Sequence, residues 1–286
     1  MRILLLPNIL KPQTIQVLRE FCALLNHYGI TVCALEEDRQ IFESNYLPAV
    51  TYLADPERLE GTCDLLCAIG GDGTLLRYAH LAAQSGIPIT GINTGKVGFL
   101  AQIEPDKLEY YLRTFLDEQY IIEERIALQA NWSGGKASYV LNDIVLSGVR
   151  RSPMIYFTVL CDDRLVEGYR ADSLIISTPT GSTAYNLAAG GAVQEASMRS
   201  VSFQPICAQF GLKIPLIFSS SHQFAVTCSE RVEVICDGQT AGTIPRGGSI
   251  RITQAERLTP TIAFEHIQVF PGFRRRLSAL EASAFD

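Results

Sequence analysis

The chain has 286 residues, of which 47% are hydrophobic and 19% charged, and its formal net charge is −6. This length suits one large domain or two ordinary ones, and the acidic balance gives no electrostatic footprint for nucleic acid. The apolar run at 3–6 is cut short by Pro7, so it predicts neither a signal peptide nor a membrane span. We therefore expect a soluble cytoplasmic protein that binds neither nucleic acid nor membrane.

Strands and helices alternate over the first 120 residues. The pattern predicts strands at 3–6, 30–35, 64–69 and 88–92 and helices at 14–28, 77–85 and 104–119, with a loop between the second strand and about residue 56. Such alternation predicts a parallel sheet with flanking helices, which binds ligands beyond the carboxyl ends of its strands.

A glycine-rich turn, Gly70-Gly71-Asp72-Gly73-Thr74, joins the third of these strands to the helix that follows. Glycines let the backbone approach an anion, and the helix N-terminus supplies free N–H groups, so the turn predicts a phosphate site. A plain phosphate cradle would avoid negative charge. Asp72 is therefore expected to handle a proton, a hydroxyl or a metal, with a helix N-cap as the alternative. The glycine spacing is not the dinucleotide fingerprint, which disfavours an ordinary Rossmann dehydrogenase.

Strand-like segments replace helical spacing after about Tyr120. They lie at 126–132, 137–146, 155–161, 165–169, 173–177, 216–219, 224–228, 232–236 and 249–253. This second half is predicted to be all-β, either a sandwich or a layered sheet.

Three polar motifs interrupt these strands. Asn142-Asp143 lies inside a strand-like stretch, where strand propensity explains it poorly. The run Thr178-Pro-Thr-Gly-Ser-Thr-Ala-Tyr185 offers hydroxyls and a flat ring for a nucleotide, although a Ser/Thr-rich helix start is equally compatible. Asp237-Gly238-Gln239 is typical of a hairpin turn.

Eight cysteines are scattered through apolar stretches. They are Cys22, Cys33, Cys63, Cys67, Cys161, Cys207, Cys228 and Cys236. Only Cys63 and Cys67 are close to each other in the sequence. No second cysteine pair or histidine cluster adds the further ligands that a zinc-binding motif needs. We expect buried, reduced thiols and assign no metal-ligating residue.

Together these motifs, with Asn93-Thr-Gly-Lys-Val-Gly-Phe-Leu100, closely resemble those of the NAD kinases, in the same order along the chain. The glycine-aspartate turn alone also occurs in diacylglycerol, sphingosine and phosphofructokinase-type kinases, whereas the run ending at Tyr185 is far more specific. The resemblance extends from the first strand to the C-terminal segment.

The resemblance implies transfer of a phosphoryl group from ATP, or in some members polyphosphate, to the 2′-hydroxyl of NAD's adenosine ribose, giving NADP. It implies a divalent cation, usually Mg²⁺, and a homodimer or homotetramer. The implied fold is an α/β domain, residues 1–120 and 258–286, and a β-rich NAD-binding domain, residues 121–257. The segment around 260–276 would return to the first domain.

The resemblance also implies residue roles. Asp72 would be the general base, and Gly70, Gly71, Gly73 and Thr74 would line the phosphate path. The implied NAD-binding residues are Asp72, Gly73, Arg77, Asn142, Asp143, Arg170, Asp172, Thr183, Ala184, Tyr185, Asn186, Leu187, Ala188 and Gln239.

Three departures from the family pattern concern ligand contacts. Asp143 replaces the commoner Glu, Arg170 stands where other basic residues are frequent, and the stretch 204–213 lacks a Pro-His found in many members. Two alternatives stay open from the sequence: a lipid or sugar kinase sharing the turn, and a non-catalytic NAD(P)-binding regulator. ATP or polyphosphate as donor, NAD or NADH as acceptor, and feedback by NADP(H) stay open too.

Overall fold

The computed structural model describes residues 1–45, 47, 50–95, 98–133, 138–149 and 154–264. The chain divides into two compact units. One contains Met1–Glu124 and the late strand Thr259–Ala263, and the other contains Arg125–Leu258. Strands and helices are numbered along the chain.

The first unit is a seven-stranded sheet with helices. Its strands are β1 Arg2–Pro7, β2 Thr31–Leu35, β3 Val50–Leu53, β4 Leu65–Gly70, β5 Ile89–Asn93, β6 Ile121–Arg125 and β19 Thr259–Ala263. Its helices are α1 Thr14–His27, α2 Arg39–Ser44, α3 Asp72–Ser85 and α4 Leu108–Leu116. The order is β3-β2-β1-β4-β5-β19-β6, and β1 to β5 and β19 pair in parallel.

Apolar runs explain the centre of this sheet. Every residue of β4 is buried, as are five of the six residues of β1, which is the pattern of strands covered on both faces. Helix α1 packs Val17, Leu18 and Phe21 into the same core. The predicted α/β class with a parallel sheet is confirmed.

Three elements of the first unit, α2, β3 and β6, were not predicted, and β6 falls between the predicted helix at 104–119 and the predicted strand at 126–132. Helix α2 buries only Phe42, and edge strand β3 has no fully buried residue, so neither gives a strong apolar period. Helix α3 begins at Asp72, five residues before the predicted start, because the last three residues of the turn, 72–74, are already helical.

The second unit consists of two antiparallel six-stranded sheets. Its strands are β7 Leu128–Trp132, β8 Ser138–Val140, β9 Asp143–Gly148, β10 Ile155–Cys161, β11 Arg164–Ala171, β12 Ser173–Ser177, β13 Ser200–Ile206, β14 Leu216–Ser219, β15 Phe224–Cys228, β16 Val232–Cys236, β17 Gln239–Ile244 and β18 Ser249–Gln254. The orders are β11-β10-β15-β18-β7-β8 and β14-β13-β12-β9-β16-β17, and one apolar core draws on both. A single helical turn, α5 Tyr185–Ala188, follows β12. The predicted β-rich second half is confirmed.

The predicted strand at 137–146 is wrong as one element. It is two strands in different sheets, β8 and β9, and Leu141-Asn142 forms the crossing between them. A strand that changes sheet needs polar partners for the backbone groups exposed at the crossing, and the Asp237 carboxylate supplies them by accepting the N–H groups of residues 141–143.

The C-terminal return is seen as β19, which lies between β5 and β6 in the first unit's sheet. The remainder of the predicted return, with the basic run Arg274-Arg275-Arg276, lies outside the described residues. All eight cysteines are unpaired and six are buried, while Cys161 is half-buried and Cys207 exposed. Within the described residues, no helix is long and apolar enough to cross a bilayer.

Candidate active site

Asp72 lies at the carboxyl end of β4 and is the first residue of α3. Its Oδ2 accepts the backbone N–H of Phe99 at 2.8 Å. Its Oδ1 accepts those of Leu100 at 3.0 Å and Ala101 at 2.9 Å. An ionised carboxylate offers about four lone-pair positions, so the three donors found among the described residues leave about one position open, on Oδ2. The carboxylate is therefore fixed by the segment after β5 and still has room for one more donor.

Gly98 makes this arrangement possible. A Cβ at Gly98 would lie 2.8 Å from Oδ1 of Asp72 and 2.7 Å from the carbonyl oxygen of Ala101. Both distances are shorter than carbon and oxygen atoms tolerate, so only glycine lets the backbone approach the carboxylate this closely.

The glycines of the turn have different surroundings. A Cβ on Gly70 would lie 2.1 Å from Oγ1 of Thr74, so Gly70 is packed tightly within the protein. A Cβ on Gly73 would meet nothing within 4 Å, and one on Gly71 only an Asn93 atom at 4.0 Å. Since Gly71 and Gly73 face open space at the start of a 14-residue helix, whose first N–H groups lack intrahelical acceptors, this is where an anion fits.

Lys11 is a cation near this turn that the sequence reasoning missed. It lies in the loop after β1, the strand next to β4, and its Nζ is 3.4 Å from the position of a Cβ on Gly95. Thr94 connects the loops by donating its Oγ1 hydrogen to the carbonyl of Gly70 at 3.1 Å. The available signal was a basic residue just after a central parallel strand, at the sheet edge where ligands bind.

Arg77 does not come to Asp72. Five residues along an α-helix correspond to a rotation of about 140°, which places the two side chains on different faces of α3. The Arg77 guanidinium lies 5.5 Å from the ring centre of Tyr78. Burial raises the pKa of Asp38 to about 6, and the positive charge of Arg77 opposes that rise. The NAD-binding role of Arg77 stays a prediction without support from this geometry.

In the second unit, Asp237 braces the crossing that carries Asn142 and Asp143. It begins the two-residue turn between β16 and β17, with φ of 48°, followed by Gly238 with φ of 77°. Its carboxylate accepts the backbone N–H groups of Leu141 at 2.9 Å, Asn142 at 2.7 Å and Asp143 at 3.2 Å. The turn thus has the predicted hairpin geometry and an additional role that its sequence did not show.

Two carboxyl groups, those of Asp143 and Asp237, are close together here, and no cation of the described residues contributes to the pKa of either. Burial, and then the negative charge of Asp237, raise the pKa of Asp143 to about 7. Burial also raises the pKa of Asp237 to about 6, against the opposing effect of its three N–H donors. Asp143 is 5% exposed. A buried acid titrating near neutral pH is a feature typical of functional sites.

The segment 178–185 packs directly on this crossing. Thr178 donates its hydroxyl to the carbonyl of Leu141 at 2.6 Å, and its N–H to that of Asn142 at 2.9 Å. A Cβ on Gly181 would lie 2.1 Å from the Asn142 carbonyl oxygen, so glycine is required for the contact. The structure therefore brings two of the sequence motifs together within the second unit.

The remaining predicted NAD-binding residues differ in exposure. Tyr185 is 50% exposed, which leaves its ring available for stacking. Asn186 is fully buried and donates to the carbonyls of Ser182 and Ala192, so the structure gives it a bracing role within the segment. The others are exposed or half-buried: Arg170, Asp172, Thr183, Ala184, Leu187, Ala188 and Gln239.

Comparison with known proteins assigns both halves of the chain to one family. Residues 3–120 match the family model described as ATP-NAD kinase N-terminal domain, and residues 141–264 match ATP-NAD kinase C-terminal domain. The second match favours this family over the lipid and sugar kinases, which were expected to share only the glycine-aspartate turn.

Relatives and solved structures agree with this assignment. The NAD kinase of Nitrosococcus oceani is 32% identical over 269 residues, covering 90% of this chain and 90% of its own. That of Pseudomonas paraeruginosa is 35% identical over 200 residues, covering 67% and 68%. An NAD kinase from Archaeoglobus fulgidus in complex with ATP has a TM-score of 0.75 at 26% identity, covering 98% of this chain and 99% of that chain.

The fold is also that of yeast NADH kinase, whose structure complexed with NADH has a TM-score of 0.86 at 20% identity, covering 97% of this chain and 87% of that one. Two family models that together span most of the chain, and a relative similar over nine-tenths of its length, lead to one conclusion. This chain belongs to the NAD kinase family of phosphoryl-transferring enzymes.

Proposed function

We propose that this chain transfers the γ-phosphoryl group of ATP to the 2′-hydroxyl of NAD's adenosine ribose, giving NADP and ADP. The observation that carries the proposal is the setting of Asp72. Its carboxylate is held by three backbone N–H groups, keeps about one position open on Oδ2, and adjoins glycines with free space around them. A fixed acceptor beside an anion site is what phosphoryl transfer to a hydroxyl needs.

In this proposal the hydroxyl proton passes to Oδ2 of Asp72 as the ribose oxygen bonds to the γ-phosphorus. The bond between that phosphorus and the oxygen bridging to the β-phosphate breaks, and ADP leaves. Phosphoryl transfer depends mainly on positioning and charge stabilisation, so a carboxylate suffices as base. The N-terminus of α3 and the ammonium group of Lys11 provide positive potential for the phosphates.

A divalent cation fits this site if the nucleotide carries it. Mg²⁺ usually keeps several waters and is bound through phosphate oxygens, so an ion carried by the nucleotide needs no direct bond to Asp72, whose open position on Oδ2 is taken by the ribose hydroxyl. Among the described residues, the cluster of three metal-ligating side chains that we find, Cys161, Asp162 and His222, does not include Asp72. When bound, Mg²⁺ supplies neutralisation of the charge on the phosphates.

We assign NAD binding to the second unit's Asn142, Asp143 and Tyr185. The exposed Tyr185 ring offers a surface for a base, and the Asp143 carboxylate can accept hydrogen bonds from ribose hydroxyls. Asp is one methylene shorter than the commoner Glu, so Asp143 depends more on how its backbone is placed. The Asp237 carboxylate supplies that placement by accepting the backbone N–H groups of residues 141–143.

The test is NADP formation by the purified full chain with NAD, ATP and Mg²⁺, read with an NADP-specific dehydrogenase. Asp72→Asn is expected to lower kcat by about 10²–10⁴-fold, the usual contribution of a general base. Asp117→Asn, an exposed carboxylate in the same unit, is the matched control and should leave the rate unchanged. Parallel reactions with polyphosphate and with NADH identify the preferred donor and acceptor.

Two outcomes would overturn parts of the proposal. Equal rates for wild type and Asp72→Asn would refute the base assignment and leave the reaction intact. Absence of NADP from the wild type, with NAD still bound in equilibrium dialysis, would favour the non-catalytic regulator. Light scattering on the same preparation tests the homodimer or homotetramer implied by the family resemblance.

A further inference from the structure

Three potential metal ligands meet at one end of the second unit's first sheet. Cys161 is the last residue of β10, Asp162 begins the turn to β11, and His222 lies just before β15. The Cys161 sulfur, a carboxylate oxygen of Asp162 and a ring nitrogen of His222 all lie within 4.8 Å of one another. Since 60 residues separate Asp162 from His222, short-range cysteine and histidine spacing could not reveal the cluster.

The backbone holds the two contributing segments together. The Asp162 N–H donates to the Gln223 carbonyl at 2.9 Å, and the Gln223 N–H donates to Oδ1 of Asp162 at 3.0 Å. Asp162 and Asp163 have φ of 49° and 61°, the positive values of a tight two-residue hairpin turn. The pairing of β10 with β15 ends at Cys161 opposite Phe224. The ligand-bearing residues are thus positioned by main-chain contacts.

The donor set suits a borderline transition metal. Thiolate, imidazole and carboxylate are the three ligand types of Zn²⁺, and three protein ligands plus water complete a tetrahedron. Oδ1 of Asp162 accepts the Gln223 N–H, and Oδ2 lies next to His222. The carboxylate is thus held by a hydrogen bond to one oxygen, as metal-ligating carboxylates usually are, while the other oxygen faces the second ligand. Mg²⁺ prefers six oxygen ligands and is poorly matched.

Metal binding would replace a hydrogen bond that now joins Asp162 to His222. Oδ2 of Asp162 and Nδ1 of His222 are 2.6 Å apart, a hydrogen-bond distance. Around tetrahedral zinc, with bonds of about 2.0–2.2 Å, these atoms would separate to about 3.4 Å. Burial and the neighbouring Asp162 carboxylate raise the pKa of the Cys161 thiol, so a metal would displace its proton.

We propose that Cys161, Asp162 and His222 form a Zn²⁺ site that links the β10–β11 hairpin to the segment before β15. The site is independent of nucleotide chemistry. Arg170, the nearest predicted NAD-binding residue on β11, lies six residues along the strand from Arg164 at the hairpin, or about 20 Å. Its effect is structural, because a ligand that binds only the folded state stabilises that state.

The test uses Co²⁺ as a spectroscopic substitute for Zn²⁺ in the full chain, with reductant and without oxygen. Cys207→Ser serves as the background, since Cys207 is an exposed thiol that could bind metal itself. We expect one Co²⁺ per chain, with a thiolate-to-cobalt charge-transfer band that Zn²⁺ abolishes and Mg²⁺ does not. Cys161→Ser should remove the band, and His222→Gln should weaken binding at least about 10-fold.

Asp163→Asn is the matched control, because it keeps the turn and changes an exposed neighbour that is not in the cluster. It should bind Co²⁺ as the background protein does. Tryptophan fluorescence at Trp132 verifies that each variant folds. The proposal is refuted if the background protein shows no thiolate band, or if the band persists in folded Cys161→Ser.

Discussion

Replacing Asp143 by Asn should make the second unit more stable and the enzyme less active. Asp143 is 5% exposed and lies beside Asp237, a second carboxyl group, and no cation in the described part of the chain offsets the two charges. Asn has nearly the same shape and cannot ionise. The substitution therefore removes a buried charge while leaving the packing almost unchanged.

The magnitude follows from the shifted pKa. In the folded protein the pKa of Asp143 is about 7, against an ordinary value of 3.8. Between these values the folded state holds more protons than the unfolded state, so its stability falls as pH rises from about 4 to about 7. At pH 8 the full pKa difference lowers the free energy of unfolding by on the order of 4 kcal/mol, compared with a protein in which Asp143 keeps its ordinary pKa. At pH 5 Asp143 is protonated in the folded protein and ionised in the unfolded chain, and the free energy of unfolding is lowered by on the order of 2 kcal/mol.

Urea unfolding followed by fluorescence isolates this effect, because the chain's one tryptophan, Trp132, lies in β7 of the second unit. Asp143→Asn should raise the free energy of unfolding at both pH values, by about 2–3 kcal/mol more at pH 8 than at pH 5. Asp172→Asn, an exposed carboxylate in the same unit, is the control and should show no such difference. Equal effects at the two pH values, or a loss of stability at pH 8, would refute the reasoning.

Activity should move in the opposite direction. If the Asp143 carboxylate accepts a hydrogen bond from NAD, its loss should lower kcat/KM for NAD by about 10- to 100-fold, corresponding to about 1.5–3 kcal/mol. An unchanged kcat/KM in the stabilised variant would remove Asp143 from the NAD site. Stability would then be the sole consequence of its charge.

Three further substitutions test the packing described above. Gly98→Ala should displace the backbone that holds Asp72 and lower kcat by about 10²-fold, while the far-ultraviolet circular dichroism spectrum stays like that of the wild type. Full activity would show that the backbone next to Asp72 tolerates a methyl group. Gly181→Ala puts a methyl group 2.1 Å from the Asn142 carbonyl oxygen and should destabilise the second unit by about 1–3 kcal/mol in the urea assay; an unchanged midpoint would show that the contact can relax. Thr90→Val should raise the free energy of unfolding by about 1 kcal/mol, and with it the melting temperature, because the buried Thr90 hydroxyl has no partner among the described residues. A lower melting temperature would mean that the hydroxyl has a hydrogen-bond partner.

The sequence predicted most of what depends on local pattern. Continuous apolar runs identified β1 and β4, and stretches rich in β-branched and aromatic residues identified β10 and β16, because burial and strand propensity both leave a direct trace in residue order. The glycine-aspartate turn was placed correctly between a strand and a helix for the same reason.

What the sequence did not predict depends on contacts between distant residues. Asp237 is about 95 positions from the crossing that it braces, and His222 is 60 positions from Asp162. Neither pairing produces a local period or a fixed spacing. The crossing itself was read as continuous strand, because Tyr139 and the residues after Asp143 favour extended structure on both sides of Asn142.

The position of β19 has a consequence for synthesis of the chain. β5 is complete when Asn93 has been made, yet its neighbour β19 begins only at Thr259, after the whole second unit. At roughly 5–20 residues per second, the ribosome needs on the order of ten seconds or more to supply it. During that time β5 has an unpaired parallel edge, and β6, which joins the sheet through β19, has no place to pair. A nascent chain shorter than about 260 residues should therefore depend on chaperones at this edge, and its second unit, which ends at Leu258, is completed only just before β19 is made.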